Sequence, residues 1–427
     1  MTMFFSTGRD MWNKIIFYYN NLTERLEGMK REKLFDRLFY LLLAAYLLHY
    51  QCKLVAWTAE TRVVGDVGAM LFLDASFFIA LIYITFSVLS RSIKPLVLVL
   101  TGAADVAMLI WWPRLDYNVR CWIINLVLIF TAAGLDFHKI LKVYLIVYLI
   151  GFAAAVTGLA SGYSVINHKW QNYGVGLGLG YISGNNMTRM LLWMAMIITI
   201  FLGNRKPWLS RISFLLVFLV SCFYAKCRTT AVMAVLVPLM LFASERSRFI
   251  KTDGKLHDFG KGFLILTPFS CTILSVVLSF ALIPLIPAFR NHALWNFLSR
   301  FVQNNIALRE YGVHLTGRWI DFLGNVSRNF YGETIFLKIL DNAYVPWMIR
   351  NGLIKMLLLM GALCLSMAKA VKKNNIVLCV MFLSILIYGI MEPAAVQLQY
   401  NFMLLYLFAK DHFSDRQTEE AAGMRTV

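Results

Sequence analysis

The sequence predicts an all-α polytopic membrane protein, and three observations lead to that prediction. Of its 427 residues, 59% are hydrophobic and only 15% are charged, which is more apolar surface than a soluble domain needs. The apolar residues form repeated windows of about 17–25, each long enough to cross about 30 Å of hydrocarbon as a helix. Because the windows are continuously apolar rather than alternating, a transmembrane β-barrel is excluded.

About twelve transmembrane helices are predicted, with a large extracytoplasmic loop between the ninth and the tenth. The predicted spans are 37–56, 66–89, 95–112, 117–134, 142–160, 187–203, 212–226, 228–243, 262–287, 350–369, 375–392 and 396–409. They divide the chain into a cytoplasmic basic amphipathic segment (1–36), a bundle of nine spans (37–287), the large loop (288–349), three further spans (350–409) and a cytoplasmic tail (410–427). Residues 1–36 suit either a helix lying on an anionic membrane or a partly ordered basic tail.

The charge distribution predicts the orientation. Lysine and arginine accumulate on cytoplasmic connections, which accounts for the net charge of +18 without nucleic-acid binding. With both termini cytoplasmic, the more basic connections lie inside: Arg91 and Lys94; Lys139 and Lys142; Arg205, Lys206 and Arg211; Arg246, Arg248, Lys251, Lys255 and Lys261; Lys369, Lys372 and Lys373. The outer connections are short and mostly carry one or two basic residues each: Arg62; Arg114 and Arg120; Lys169; Lys226 and Arg228. The loop from Arg290 to Tyr344 then faces outward, away from ATP and nucleotide sugars.

Composition also limits the chemistry that we expect. None of the seven cysteines has zinc-ligand spacing, and all lie in or beside apolar spans, so they are interpreted as small buried hydrophobic residues. No metal site is predicted, and the chain has no Walker loop or dinucleotide fingerprint. The charged start and the first span, which lacks a small-residue cleavage site, do not resemble a cleavable signal peptide.

Two of four outward-facing motifs come before the large loop. The connection 161–188 is rich in glycine and precedes a helix that begins near Asn185, and a helix start binds anions, although a glycine turn is more often structural. Lys226 and Arg228 lie at the outer end of a span. The planar fork of arginine suits the phosphates of a lipid-linked donor, whereas snorkelling to the membrane surface is the simpler interpretation.

The other two motifs belong to the large loop. Leu315 to Trp319 reads L-T-G-R-W, and Asp341-Asn342-Ala343-Tyr344 precedes a span that contains Gly352. Asp341 is placed either to cap that helix or to accept a proton from a sugar hydroxyl. Residues 293–308 have apolar residues at helical spacing, which predicts an amphipathic helix whose stripe serves membrane contact or packing rather than a substrate groove.

In this order, and on this predicted side of the membrane, the four motifs resemble those of the O-antigen polymerase and ligase superfamily. The residues that carry the resemblance are Gly178, Gly180 and Asn185; Arg228 and Thr229; Thr316, Gly317, Arg318 and Trp319; and Asp341, Asn342, Tyr344 and Gly352. They cover about residues 160–360, and the first five spans match only in being apolar. Ligase-type members usually have histidine at the position of Asp341, so the aspartate favours a polysaccharide repeat-unit polymerase over a ligase.

The resemblance implies a GT-C-like fold and glycosyl transfer in the bacterial cytoplasmic membrane. The substrate would be an undecaprenyl-pyrophosphate-linked oligosaccharide, with the donor bond supplying the energy and no cofactor or nucleotide required. Membrane lipids, and chain-length regulator and flippase proteins, are the implied partners.

The roles expected for individual residues follow from this reaction. Arg228 and Arg318 would neutralise the pyrophosphate charge, and Asp341 would accept the hydroxyl proton, with His314 and Asp321 as rival proton acceptors. The expected substrate-binding residues are Lys226, His314, Thr316, Gly317, Trp319, Asn342, Tyr344 and Asn185.

Three other functions compete with polymerisation. A ligase-type transferase would use the same motifs. A flippase or other transporter would place ionisable residues at mid-span and would use broken helices and an internal repeat. Asp74, Asp105 and Lys355 lie within or near spans, but the two halves show no clear repeat. A non-catalytic scaffold for wall assembly is the third alternative.

Overall fold

The fold is described from a computed structural model of the chain. It covers residues 31–58, 60–89, 117–164, 168–171, 174–202, 206–246, 251–252, 255–256, 258–285, 295–317, 320, 326–328, 334–336 and 341–411. The predicted span at 95–112 lies outside these described residues, as do most of segment 1–36 and nearly all of the tail.

The described chain is mainly helical. Its α-helices are α1 (Arg31–Leu54), α2 (Arg62–Leu89), α3 (Tyr117–Thr131), α4 (Phe137–Ala160), α5 (Gly184–Leu202), α6 (Pro207–Leu219), α7 (Arg228–Arg246), α8 (Asp258–Ala281), α9 (Trp295–Tyr311), α10 (Tyr344–Lys372), α11 (Ile376–Met391) and α12 (Met403–Tyr406). A π-helical turn, Val220–Tyr224, extends α6, and 3-10 turns occupy Ile283–Leu285 and Pro393–Val396.

The strands form three short antiparallel hairpins. They are β1 (His168–Gln171) with β2 (Gly174–Leu177), β3 (Lys251–Thr252) with β4 (Lys255–Leu256), and β5 (Val326–Arg328) with β6 (Thr334–Phe336). In the first hairpin His168 pairs with Leu177, and in the third Val326 pairs with Phe336. Each hairpin lies in a connection between helices.

Six helices in the described part of the chain are long and apolar enough to cross a membrane. They are Arg62–Ile84, Phe137–Ala160, Gly184–Leu202, Pro207–Tyr224, Gly260–Ala281 and Tyr344–Lys372, and the apolar helices Arg228–Ser244 and Ile376–Met391 are shorter. The class predicted from the sequence, an all-α membrane protein, is therefore confirmed.

The chain divides into two compact units. The first comprises residues 1–46 and 72–131, and it contains an edge-to-face contact of Phe35 with Tyr83 at 5.4 Å between ring centroids. The second comprises residues 47–71 and 132–427 and holds all of the predicted site residues. Helix α5 is the most enclosed of its spans: 67% of the apolar window is buried, against 22–39% for the five other candidate spans found among the described residues. The apolar side chains exposed on those other spans suit contact with lipid.

The last predicted span, 396–409, does not form a continuous helix. The chain turns at Pro393–Val396, runs irregularly to Phe402 and then has only the four-residue helix α12. It nevertheless returns along the full length of α11, which is roughly 24 Å for sixteen residues. Glu392 directly follows α11 at one end. Near the other end of α11, the Lys410 backbone amide donates to the Leu135 carbonyl, and the Lys410 carbonyl accepts from the Phe137 amide. Lys373, next to the start of α11, donates to the Asp411 carbonyl there.

Aromatic donors explain how this irregular backbone is buried. Three consecutive carbonyls accept hydrogen bonds from side chains of α4 and α5: Leu398 from Tyr144 at 2.6 Å, Gln399 from Tyr148, and Tyr400 from the Trp193 indole. A backbone carbonyl without a partner is costly away from water, so irregular chain is tolerated inside a bundle only where protein groups satisfy it. A helix satisfies its own backbone and is therefore the default expectation for an apolar stretch. For this reason the prediction of a continuous helix over 396–409 was wrong.

Replacing Tyr144 with phenylalanine tests this account. The Leu398 carbonyl would lose its donor within the bundle, so the free energy of unfolding is expected to fall by about 1–3 kcal/mol. The measurement is the midpoint of thermal unfolding in detergent, with Tyr163→Phe as the control because Tyr163 is 59% exposed. Equal midpoints for the two variants would contradict the role of the Tyr144 hydroxyl.

Candidate functional site

The candidate site lies at the end of the second unit where α5, α7 and α10 begin and α11 ends, which we call the site end. Contacts between motifs define it. The Thr188 hydroxyl of α5 donates to the Thr230 hydroxyl of α7 at 3.2 Å, and the Ala343 amide donates to the Gly389 carbonyl at 2.8 Å. The first contact joins residues 42 positions apart in sequence and the second joins residues 46 apart, so helices that are separate along the chain meet at this end of the bundle.

Four charged side chains, Arg189, Arg300, Asp341 and Glu392, form what we call the charge cluster. Arg300, from α9, lies between the two carboxylates. Its Nη1 is 3.2 Å from Glu392 Oε1, and its Nε is 3.5 Å from Asp341 Oδ2. The same Nη1 donates to the Met391 carbonyl at the end of α11. Helix α9 is thus attached to the end of α11 through one guanidinium group.

Burial distinguishes the two carboxylates. The Glu392 side chain is 4% exposed and that of Asp341 is 38% exposed. Burial raises the pKa of Glu392, and the charges of Arg189 and Arg300 oppose that effect. Burial also disfavours the charged form of Arg300, but Glu392 and Asp341 outweigh it, so the pKa of Arg300 is raised and its charge is maintained. Glu392 is therefore an enclosed counter-ion, whereas Asp341 is accessible to a ligand.

Arg189 lies inside the first turns of α5. Its Nη2 donates to Asn186 Oδ1 at 2.8 Å, and its Cζ lies 5.0 Å from the centre of the Tyr400 ring. Stacking of a guanidinium on an aromatic face is favourable where water is excluded. Because Arg189 also interacts electrostatically with Glu392, it joins the irregular segment after α11 to the charge cluster.

Asn342 and Tyr344 hold the start of α10. Asn342 Oδ1 accepts from the amides of Tyr344 and Val345, and its Nδ2 donates to Ser275 Oγ and to the Ile390 carbonyl. The buried Tyr344 hydroxyl donates to the Leu386 carbonyl at 2.6 Å. These polar atoms form hydrogen bonds within the protein, so both residues have a structural role at the start of α10, and their substrate-binding role stays a prediction.

The loop motif around Gly317 packs against α10 through two glycines. Gly317 has φ +80° and Gly352 has φ +86°, and a Cβ on Gly317 would lie 2.6 Å from the Gly352 nitrogen. The Leu353 amide donates to the His314 carbonyl at 2.9 Å, and the Ile354 amide donates to the Leu315 carbonyl at 3.1 Å. The third and fourth sequence motifs are therefore joined by direct backbone contact, which interrupts α10 at Gly352.

His314 and Thr316 lie beside this contact and are both exposed. The His314 ring is held by its Nε2, which is 3.2 Å from the Tyr311 carbonyl. Arg318, Trp319 and Asp321 lie outside the described residues, so their predicted roles remain predictions. The amphipathic helix predicted at 293–308 is confirmed as α9, and two residues of its apolar stripe, Leu298 and Phe301, are buried against the protein.

The basic motif lines a groove between α6 and α7. Lys226 is half-buried with φ +53°, and Arg228 is exposed at the first residue of α7. The groove has a volume of about 750 Å³ and continues along apolar side chains as far as Leu239. The lining residues are Phe218, Ser221, Cys222, Lys226, Cys227, Arg228, Ala231, Val232, Val235, Leu236 and Leu239. Val232 and Leu239 are more than half exposed, so the groove opens toward the side of the bundle.

The glycine-rich motif supports the first turn of α5. The Gly180 carbonyl accepts from the Ala56 amide at 2.7 Å, and Tyr181, which follows it, is buried. Helix α5 begins at Gly184, as predicted, and Asn185 lies half-buried in its first turn. This packing favours a structural role for the glycines, while Asn185 remains at the site end beside the basic motif.

Sequence reasoning missed three members of the charge cluster, Arg189, Arg300 and Glu392. A signal was present for two of them: Arg189 is the one charge in the apolar window of α5, and Glu392 is the one acidic residue between Asp341 and Asp411. Intramembrane or span-end charges are costly, and for that reason they indicate function. Arg300 gave no such signal, because it is one of many basic residues in a polar loop.

No family model, curated protein or solved structure matches this chain at a significant level. Among the described residues, no group of three or more histidine, cysteine, aspartate and glutamate side chains is placed to hold a metal ion.

Proposed function

We propose that the protein is a polysaccharide polymerase that joins undecaprenyl-pyrophosphate-linked oligosaccharide repeat units at the outer face of the bacterial cytoplasmic membrane. The acceptor's terminal hydroxyl oxygen attacks the anomeric carbon of the donor. The bond from that carbon to the pyrophosphate oxygen breaks, undecaprenyl pyrophosphate leaves with the electron pair, and the hydroxyl proton passes to Asp341. Because pyrophosphate is already a good leaving group, the protein has to orient two sugars and neutralise charge.

The observation that carries the proposal is the groove with two cations at one end. Lys226 and Arg228 suit a phosphate headgroup, and the apolar walls from Ala231 to Leu239 suit a hydrocarbon chain. From Arg228 to Leu239 the groove follows roughly 16 Å of helix, enough for the first isoprene units of a long polyprenyl chain. A lipid-linked anion is the class of substrate that needs both features together.

The carboxylate needed for proton transfer lies at the same end of the bundle. Cys227, between the two cations, contacts the Thr230 hydroxyl at 3.2 Å, and Thr230 contacts the hydroxyl of Thr188, the residue before Arg189, at 3.2 Å. Arg189 interacts with Glu392, which shares Arg300 with Asp341. The cationic groove and the partly exposed Asp341 carboxylate therefore lie at the same end of the bundle, on either side of Arg189 and Glu392 in this sequence of interactions.

Twelve crossings are the topology that fits this function. Ten of them would be the apolar helices α1 to α8, α10 and α11. The stretch 95–112 would supply one more, and the irregular chain from Pro393 to Lys410 would be the last crossing. The amphipathic α9 and the two loop hairpin strands then belong to an outer, GT-C-like loop, and both termini lie in the cytoplasm.

Reconstitution tests the proposal. Purified protein in liposomes, supplied with undecaprenyl-pyrophosphate-linked repeat units and no nucleotide, is expected to produce a ladder of polymers on a gel. Arg228→Ala should lower the yield by about tenfold or more, since a hydrogen bond to a charged group contributes roughly 1.5–3 kcal/mol. Arg211→Ala is the control, because Arg211 is exposed near the opposite end of α6. A full ladder from Arg228→Ala would contradict the role of the groove.

The competing functions predict different products in the same assay. A ligase-type transferase would attach one repeat-unit chain to an added saccharide acceptor and produce no ladder. A flippase would move the lipid-linked unit across the bilayer without a new glycosidic bond. One observation favours transport as the second candidate: the buried irregular backbone of residues 393–402 beside Arg189 resembles the broken helices that line transport sites.

A further inference from the structure

The connection between Asp341 and Glu392 has a geometry that a simple helix-docking contact does not need. Arg300 uses different nitrogens for its two carboxylates, Nε toward Asp341 and Nη1 toward Glu392. The buried Glu392 fixes the Nη1 side of the guanidinium, which leaves the Nε side in contact with the more exposed Asp341. The plane of the guanidinium therefore determines where the Asp341 carboxylate can lie.

The backbone at Asp341 is already fixed by its neighbour. Asn342 forms four hydrogen bonds, two to the first amides of α10 and two to α8 and α11. The Asp341 side chain can still rotate, and in the part of the chain that the structure describes it is Arg300 that contacts its carboxylate and restrains that rotation. A proton acceptor has to be held within hydrogen-bond reach of the attacking hydroxyl, so this restraint affects the rate of the reaction.

We propose that Arg300 is a positioning residue that orients the Asp341 carboxylate for proton transfer, and that the buried Glu392 fixes Arg300 in place. The proposal rests on the proposed function, because it takes Asp341 as the proton acceptor. Lysine cannot replace Arg300 in this role, since an ammonium group is a single point of charge and cannot hold two carboxylates in a fixed plane.

The first test is the kinetic effect of Arg300→Lys in the liposome assay. It is expected to lower kcat by about 100-fold, the loss that a displacement of about 1 Å at a reacting group produces, and to change KM by less than about twofold. Arg309→Lys is the matched control, because Arg309 is on the same helix and exposed. An equal fall in kcat in both variants, or a change in KM with kcat unaltered, would overturn the proposal.

The second test shows whether Arg300 acts through Asp341. In the Asp341→Asn background, Arg300→Lys is expected to cause no further fall in kcat, because the group that it orients is gone. Independent losses that multiply in the double variant would overturn the proposal while the polymerase function stands. If the wild-type protein forms no polymer at all, the proposed function fails and this inference fails with it.

A second variant covers the case in which Arg300→Lys does not fold. Glu392→Gln keeps the side-chain length and an oxygen acceptor for Nη1 but removes the charge that fixes Arg300. We expect kcat to fall by less than in Arg300→Lys, again with KM nearly unchanged and with no further effect in the Asp341→Asn background. Wild-type kcat in Glu392→Gln would exclude its part in the proposal.

Discussion

Asp341→Asn is expected to lower polymer formation by roughly 10²–10⁴-fold, the range that general acid–base catalysis contributes. Asparagine has the same shape and can keep an oxygen near Arg300, but its amide does not accept the proton of the attacking hydroxyl. The measurement is the initial rate of ladder formation in liposomes. The thermal midpoint should change little, because Asp341 is partly exposed and the start of α10 is held by Asn342.

The control for this substitution is Glu310→Gln, a similar loss of charge at an exposed carboxylate of α9. It is expected to leave the rate unchanged. If Asp341→Asn retains the wild-type rate, Asp341 is not the proton acceptor, and the role passes to His314 or Asp321. His314 is exposed on the loop that packs on α10, which keeps it within the same part of the protein.

Gly352→Ala is expected to destabilise the protein by roughly 3 kcal/mol or more, because φ +86° with ψ 167° is a conformation that only glycine adopts readily. Space is also lacking: the added Cβ would lie 2.5 Å from the Leu315 carbonyl oxygen. The loop from His314 to Gly317 would then separate from α10. The measurement is the thermal midpoint in detergent, together with protease cleavage near residue 315, which should become faster.

Gly361→Ala is a control on the same helix. No atom lies within 4 Å of a Cβ built at Gly361, and alanine is favoured over glycine inside a helix by about 0.5–1 kcal/mol. It should therefore leave the thermal midpoint unchanged or raise it. Similar loss of stability in both variants would mean that the interruption of α10 at Gly352 is not what holds the loop.

The sequence predicted the helices well and the charge cluster poorly, for a physical reason. A span such as α4 or α10 follows from local hydropathy, because each helix satisfies its own backbone wherever it packs. The start of α5 and the amphipathic α9 are equally local signals. By contrast, the proximity of Arg300 to Glu392 joins residues that are 92 positions apart and depends on how α9 packs against the end of α11.

The irregular last crossing shows the same limit. Hydropathy indicates that residues 396–409 are apolar enough to be enclosed, and most of them are buried. It does not reveal that Tyr144, Tyr148 and Trp193 supply donors for the carbonyls of 398–400, which makes a helix unnecessary there. The motif residues were informative in another way: the sequence singled out Gly317 and Gly352 separately, and the structure brings them into contact.

The aromatic donors also bear on the order in which the protein assembles. Helices can enter a bilayer one at a time, because each arrives with its backbone hydrogen bonds already formed. The chain after Glu392 does not have that independence, since the carbonyls of Leu398, Gln399 and Tyr400 obtain their donors from α4 and α5. The final segment therefore gains a stable place in the membrane only after the helices synthesised some 200 residues earlier have packed together. Formation of the Tyr400 contact with Arg189 would then mark the completion of both the fold and the site.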